Sequence, residues 1–143
     1  EFRRMLNPGE RAIGEWVAQA HGTRYSIPNG EEPFVVFDIM KAHKRLRCVS
    51  VIDRLMRTRF NVPPIIHCGG PISIKEAMER LGMYGKFGAI DPAEGLVYRV
   101  ERDNEVDFLA KYVHPDKVDG AYLPKISGGE DVWNWVHPNW SKG

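Results

Sequence analysis

Residues 33–39 read PFVVFDI, a nearly continuous apolar run that is rich in strand-forming residues and contains one aspartate. A run this short and this apolar is typical of a buried β-strand. Residues 11–19 (RAIGEWVAQ) alternate loosely between apolar and polar side chains and predict a second strand ahead of it.

A β-hairpin is predicted further along the chain. Residues 95–101 (GLVYRVE) and 106–113 (VDFLAKYV) are both rich in strand-forming residues. Asp103 and Asn104 lie between them, and both residue types tolerate the backbone angles of a tight turn.

Two helices are predicted between the strands. Residues 50–60 carry apolar side chains at helical spacing, with Ser50 as the expected N-terminal cap. The second helix follows Ser73 and Glu76, which form a capping-box pattern, and Gly82 is the expected C-terminal cap.

The predicted fold class is α+β, with antiparallel sheets and flanking helices. Residues 65–68 (IIHC) are predicted to add a short strand, and residues 1–143 are expected to form a single domain. Neither a repeat nor a linker interrupts the chain.

Composition excludes several classes of protein. The 143 residues carry 20 Lys plus Arg against 19 Asp plus Glu, so overall charge favours neither nucleic acid nor another acidic partner. Apolar runs near 18 residues are absent, so no membrane association is expected. Cys48 and Cys68 cannot form a disulfide framework, and we expect a reducing, cytoplasmic location.

Four short elements carry the candidate chemistry, and they occur in one order: Gly14-Glu15, Phe34–Asp38, Glu94-Gly95 and Lys111. Adenylate chemistry requires an aromatic face for the purine, carboxylates for the ribose and a metal ion, and a lysine for phosphate charge. Each element alone is also explained by structure, because core phenylalanines and exposed strand charges are common. The combination supplies all three of these groups.

Four sequence segments resemble the ATP-dependent RNA ligases, which are covalent nucleotidyltransferases: GEWVAQAHGTRY, PFVVFDI, AEGLVYRVER and DFLAKYV. The resemblance covers residues 11–111. It implies an ATP-grasp-like nucleotidyltransferase (adenylation) domain whose N-terminal part is missing from this stretch. It also implies that ATP, Mg2+ (or Mn2+) and RNA ends are bound, for RNA end-joining or repair through lysyl-AMP and RNA-adenylate intermediates.

The resemblance assigns a role to each element. Glu15 would lie near the ribose, and Phe37 or Phe34 would stack on adenine, with Phe37 favoured. Glu94 would bind the divalent metal. Lys111 would contact the ATP phosphates and stabilise charge as pyrophosphate leaves.

The sequence departs from the family pattern in two places. The family's nucleophilic lysine lies upstream of the Gly-Glu strand, yet residues 1–10 contain no lysine, so we expect no activity from this stretch alone. Leu109 stands where many members have a further lysine. Lys117-Val-Asp-Gly120 matches the nucleophile pattern, but it follows the other motifs and would act only in a permuted domain; a turn is the simpler explanation.

Several alternatives stay open. The chain could be a non-catalytic nucleotide- or RNA-binding module derived from a ligase, or a relative of DNA ligases and capping enzymes. A sheet edge left without its neighbour would pair with an N-terminal segment or with a second copy. The basic residues 41–47 could bind RNA or form a solvated loop. Arg24 could contact phosphate or hold a loop, and Trp133, Trp135 and Trp140 could stack on bases or pack the tail.

Overall fold

The computed structural model of the protein describes residues 2–28 and 30–136. Helices and antiparallel strands are mixed along the chain, which confirms the predicted α+β class. The elements are α1 (Phe2–Met5), β1 (Glu10–Trp16), β2 (Phe34–Lys41), β3 (Lys44–Arg45), α2 (Cys48–Leu55), α3 (Ile74–Leu81), β4 (Gly95–Arg102), β5 (Glu105–Val113) and α4 (Pro124–Ser127).

The chain divides into two compact units, and each is described by itself. Unit 1 takes its described residues from 1–16, 31–63 and 98–110. Unit 2 takes them from 17–30, 64–97 and 111–143. The β4–β5 hairpin contributes residues to both units.

Unit 1 contains a three-stranded sheet in the order β1-β2-β3. Strand β1 pairs antiparallel with β2, and the register shifts once, because Ile13 lies opposite Asp38 whereas Gly14 lies opposite Val36. Phe37 is therefore the extra residue of a β-bulge. The two strands predicted from residues 11–19 and 33–39 are confirmed, with β1 ending three residues earlier than expected.

The core of unit 1 lies between this sheet and helix α2. Its buried side chains are Met5, Val36, Ile39, Val51 and Leu55. Burial of aliphatic side chains from a strand and a helix is what stabilises a unit of this size. The predicted helix was misplaced, because α2 begins at Cys48 and Ser50 lies inside it rather than at its cap.

A buried carboxylate joins the strands of unit 1. The side chain of Asp38 is 2% exposed, and it accepts hydrogen bonds from Arg45 and from Arg99, the latter at 2.8 Å. Arg99 also donates to Glu101 at 2.9 Å, and Glu101 accepts the backbone N–H of Cys48 at 2.7 Å. A buried charge requires such partners, because it would otherwise have lost its hydration without compensation.

The predicted β4–β5 hairpin is confirmed, and so is its turn. Asp103 and Asn104 have φ angles of 49° and 62°, the left-handed conformation that a tight two-residue hairpin turn requires. At the open end Gly95 has a φ of 158°, and a Cβ there would overlap the backbone carbonyl of Tyr112. Only glycine fits this close approach of the two strands.

Unit 2 contains α3, and the caps of this helix are as predicted. The Ser73 side chain accepts the Glu76 N–H, and Gly82 ends the helix with a φ of 76°. The strand predicted for residues 65–68 is wrong, since the structure has no regular element there. Apolar content alone indicated that strand, but no neighbouring strand pairs with it.

The tail of unit 2 packs back on the segment after β1. Trp133 forms an isolated β-bridge with Gln19, and the Ala20 N–H donates to the Val132 carbonyl at 2.8 Å. Trp133 thus lies in a segment that holds the tail in place. Trp140 lies outside the described residues.

Within residues 2–28 and 30–136, no helix has the length and apolar content needed to span a bilayer.

Replacing Asp38 by asparagine should lower the free energy of unfolding by about 3 kcal/mol, because Arg45 and Arg99 lose the charge that balances theirs in a buried position. Urea denaturation measures the difference. The matched control is Asp107→Asn, which removes an exposed ion pair with Arg102 and should cost less than about 1 kcal/mol. Equal losses for the two variants would contradict the role given to Asp38.

Candidate functional site

The structure places the predicted site residues in two groups. Glu15, Phe34 and Phe37 lie in unit 1, whereas Glu94 and Lys111 lie in unit 2. Each group has its own surroundings, described separately below.

The two candidate phenylalanines of β2 have different environments. Phe34 packs edge-on against Phe2 and Phe60, with ring centroids 5.7 Å away in both cases. Phe37 is the bulged residue, and it is 43% exposed. Of the two rings, that of Phe37 is the more open to a ligand, whereas that of Phe34 contributes mainly to packing.

Glu15 is exposed on β1, opposite Val35. The glycine before it has a structural reason. A Cβ on Gly14 would lie 2.7 Å from the Phe34 ring, so any other residue would displace that ring. The Gly14-Glu15 pair therefore combines a packing requirement with an accessible carboxylate.

Unit 2 surrounds Glu94 with hydrogen-bond donors. The Lys117 ammonium lies 2.6 Å from Glu94 Oε1, and the Thr23 hydroxyl donates to the same oxygen at 2.5 Å. Lys117 also donates to Thr23 Oγ1 at 2.7 Å and to the Gly22 carbonyl. Glu94 precedes β4 directly, and its own carbonyl accepts the His114 N–H at 2.8 Å, which fixes it to the chain after β5.

These contacts determine the charge of Glu94. Partial burial raises the pKa of its carboxyl, but hydrogen bonds from Lys117 and Thr23, together with the positive charges of Lys117 and Lys111, outweigh burial. The pKa therefore lies below its usual value, and Glu94 stays ionised near neutral pH. Lys111 and Glu94, predicted separately, thus interact electrostatically.

Sequence reasoning missed Gly22 and Thr23, and it predicted a turn at Lys117 without the contacts that this side chain makes. The side chain of Lys117 is 12% exposed, and its Nζ contacts three acceptors, so the end of the side chain is held in one position. A Cβ on Gly22 would lie 2.7 Å from Lys117 Nζ, so glycine leaves the space that the ammonium occupies. No local pattern joins residues 22–23, 94 and 117, because they come from three separate segments.

Arg24 holds a loop. It donates to both carboxylate oxygens of Asp91, at 2.6 Å for the shortest contact, and its guanidinium lies 5.1 Å from the ring centre of Tyr122. The hydrogen bonds from Arg24 keep the pKa of Asp91 well below its usual range. A bidentate pair that also stacks on an aromatic ring positions the chain after Thr23.

Among residues 2–28 and 30–136, no group of three or more His, Cys, Asp or Glu side chains is arranged to hold a metal ion. Glu94 is a single carboxylate. A magnesium ion often takes only one or two protein carboxylates and completes its shell with water and phosphate oxygens. The chemistry of Glu94 therefore fits a metal that arrives with a nucleotide better than a metal held by protein alone.

Replacing Lys117 by methionine should raise the pKa of Glu94, because burial then acts against fewer opposing interactions. Carboxyl ¹³C NMR titration measures the change, and Lys125→Met, an exposed change in α4, is the matched control.

The sign of the linked stability change follows from the lowered pKa. The Glu94 contacts stabilise the fold fully above the unfolded-state pKa of about 4.3 and lose that effect as pH falls through the folded-state value. The stability difference between the unmodified chain and Lys117→Met should therefore shrink in acid. A Glu94 titration that Lys117→Met leaves unchanged would contradict this account.

The family model described as RNA ligase matches residues 2–113 of the chain. The matched stretch includes all five predicted site residues, from Glu15 to Lys111. No curated protein and no solved structure matches the chain. Since the family model covers most of its length, the chain belongs to the RNA ligase family.

Proposed function

We propose that this protein contributes the later part of an ATP-dependent RNA ligase adenylation domain, which joins RNA ends. The observation that carries the proposal is Glu94, a carboxylate kept ionised by Lys117 and Thr23, directly before β4 and within the family match. Residues 1–143 would belong to one such domain. The chain has two cysteines, Cys48 and Cys68, too few for a disulfide framework, which is in keeping with a role in the cytoplasm.

The reaction would proceed in three steps. A lysine amine attacks the α-phosphorus of ATP and releases pyrophosphate, which leaves AMP on the lysine. AMP then passes to the 5′-phosphate of one RNA end. Finally, the 3′-hydroxyl of a second end attacks that phosphate, forms the phosphodiester and releases AMP.

In this proposal Glu94 binds a divalent ion, Mg2+ or Mn2+, together with ATP phosphate oxygens. The ion would offset negative charge as pyrophosphate leaves. Lys117 has a positioning role, since it fixes one oxygen of the carboxylate and keeps the group ionised. Lys111 would contact the phosphates directly.

Nucleotide recognition is assigned to residues of unit 1. Phe37 is the proposed adenine-stacking ring, because it is exposed whereas Phe34 packs against two other aromatic rings. Glu15 is the proposed ribose ligand, because its carboxylate is exposed on β1. A carboxylate accepts hydrogen bonds from hydroxyl groups, which is the contact that a ribose offers.

A second candidate is a nucleotide- or RNA-binding module without chemistry. One observation favours it. The Lys-x-Asp-Gly pattern in residues 1–143 begins at Lys117, whose ammonium is engaged by Glu94, Thr23 and the Gly22 carbonyl.

Incubation of residues 1–143 with α-labelled ATP and Mg2+ should give no covalent label after denaturing electrophoresis. The same chain mixed with an N-terminal segment carrying a Lys-x-Asp-Gly motif should transfer label to that segment. Label on residues 1–143 alone, lost in Lys117→Arg, would instead make Lys117 the nucleophile of a permuted domain. If neither mixture gives covalent label although ATP is bound, the binding module is favoured.

Replacing Phe37 by alanine should weaken ATP binding about tenfold, because an aromatic–base stack contributes about 1–3 kcal/mol. Isothermal titration calorimetry measures the affinity, and thermal unfolding checks that the fold survives. Tyr84→Ala is the matched control, since Tyr84 is a comparably exposed ring in unit 2. If Phe34→Ala weakens ATP binding while Phe37→Ala does not, the assignment of the two rings must be exchanged.

A further inference from the structure

Unit 1 contains an open groove of about 380 Å³ between two hairpins, here called the hairpin groove. Lys41 to Arg47, around the β2–β3 turn, form one wall, and the β4–β5 turn forms the other. Residues 104–108 line this second wall.

Side-chain contacts between the two hairpins fix the width of the groove. Lys44 pairs with Glu105 at 2.6 Å, and Arg47 donates to the Asn104 side chain at 3.0 Å. Both turns have left-handed residues, Ala42 with a φ of 51° and Asn104 with a φ of 62°. The groove is therefore built from two defined turns and the contacts between them.

The groove is more basic than the chain as a whole. Its lining has four Lys or Arg side chains and one His, against two carboxylates. Arg45 is held by buried Asp38, so it adds little to an external ligand. The Lys44–Glu105 pair is 77% and 65% exposed, and such pairs are weak enough to be exchanged for a phosphate. Lys41 and His43 are exposed beside the turn.

An exposed aromatic ring lies in the same groove. Phe108 is 47% exposed, and the Arg102 guanidinium lies 6.0 Å from its ring centre. Phosphate-binding side chains combined with an aromatic ring that can stack on a base are the two elements of single-stranded polynucleotide binding. A small anion would need only the charges, and an acidic peptide would make no use of the aromatic face.

We propose that the hairpin groove binds a single-stranded RNA segment, with Lys41 and Lys44 on the phosphates and Phe108 stacked on a base. The choice of RNA over DNA rests on the proposed function. The groove shares no lining residue with the proposed nucleotide ligands. It therefore extends the proposed function to the RNA strand itself.

Fluorescence anisotropy with a labelled single-stranded RNA, over a series of salt concentrations, tests the groove. Lys41→Ala and Lys44→Ala should each weaken binding several-fold and reduce the slope of log affinity against log salt by about one. Phe108→Ala should weaken binding about tenfold and leave the salt slope unchanged, because it removes stacking rather than charge.

Matched controls separate these effects from changes in net charge or folding. Lys75→Ala removes an exposed lysine from α3 in unit 2, and Tyr84→Ala removes an exposed ring there; both should leave RNA affinity unchanged. Thermal unfolding of each variant establishes that it is folded. ATP affinity, measured on the same variants, should not move.

Three outcomes would refute RNA binding in the groove. The groove variants could lose no more RNA affinity than Lys75→Ala, polyglutamate could displace the RNA completely, or the unmodified chain could fail to bind RNA at low salt. In each case intact ATP binding would leave the adenylation proposal in place. If the unmodified chain binds no ATP but binds RNA through the groove, the adenylation proposal is refuted and the groove proposal stands.

Discussion

The architecture of unit 1 depends on one buried charge. Asp38 lies in the middle of β2 and is joined to Arg45 on β3 and to Arg99 on β4. Strands β2 and β3 pair in one sheet, whereas β4 belongs to the two-stranded sheet, so the carboxylate links the two sheets within this unit. Because an unpaired buried charge is so unfavourable, the arginines and their strands are constrained to meet at this point.

The sequence predicted the parts of the fold that depend on local chemistry. The Ser73 cap, the Gly82 terminus and the Asp103-Asn104 turn all follow from the backbone needs of single residues. Two other predictions were wrong: a strand expected from apolar content, and a helix start expected from Ser50 as its cap. Residues 65–68 form no strand, and α2 begins before Ser50, because pairing and packing with distant segments decide those boundaries.

In the candidate site, too, the sequence predicted single residues but not the contacts between distant segments. The segments that resemble the family identified Glu94 and Lys111 by position, and the structure adds their electrostatic interaction. The sequence does not predict that Thr23 and Lys117 both contact Glu94, since the three residues are far apart along the chain. These contacts also show what Lys117 does. Its local sequence resembles the nucleophile pattern, but its side chain forms an ion pair with Glu94.

The bulge in β2 has a consequence for how this strand can vary. On one side of Phe37, Asp38 lies opposite Ile13, and on the other side Val36 lies opposite Gly14. Joining Val36 directly to Asp38 would give an uninterrupted ladder with both pairings intact. The register thus leaves residue 37 without a partner on β1, so this position presents an exposed side chain without interrupting the pairs on either side of it.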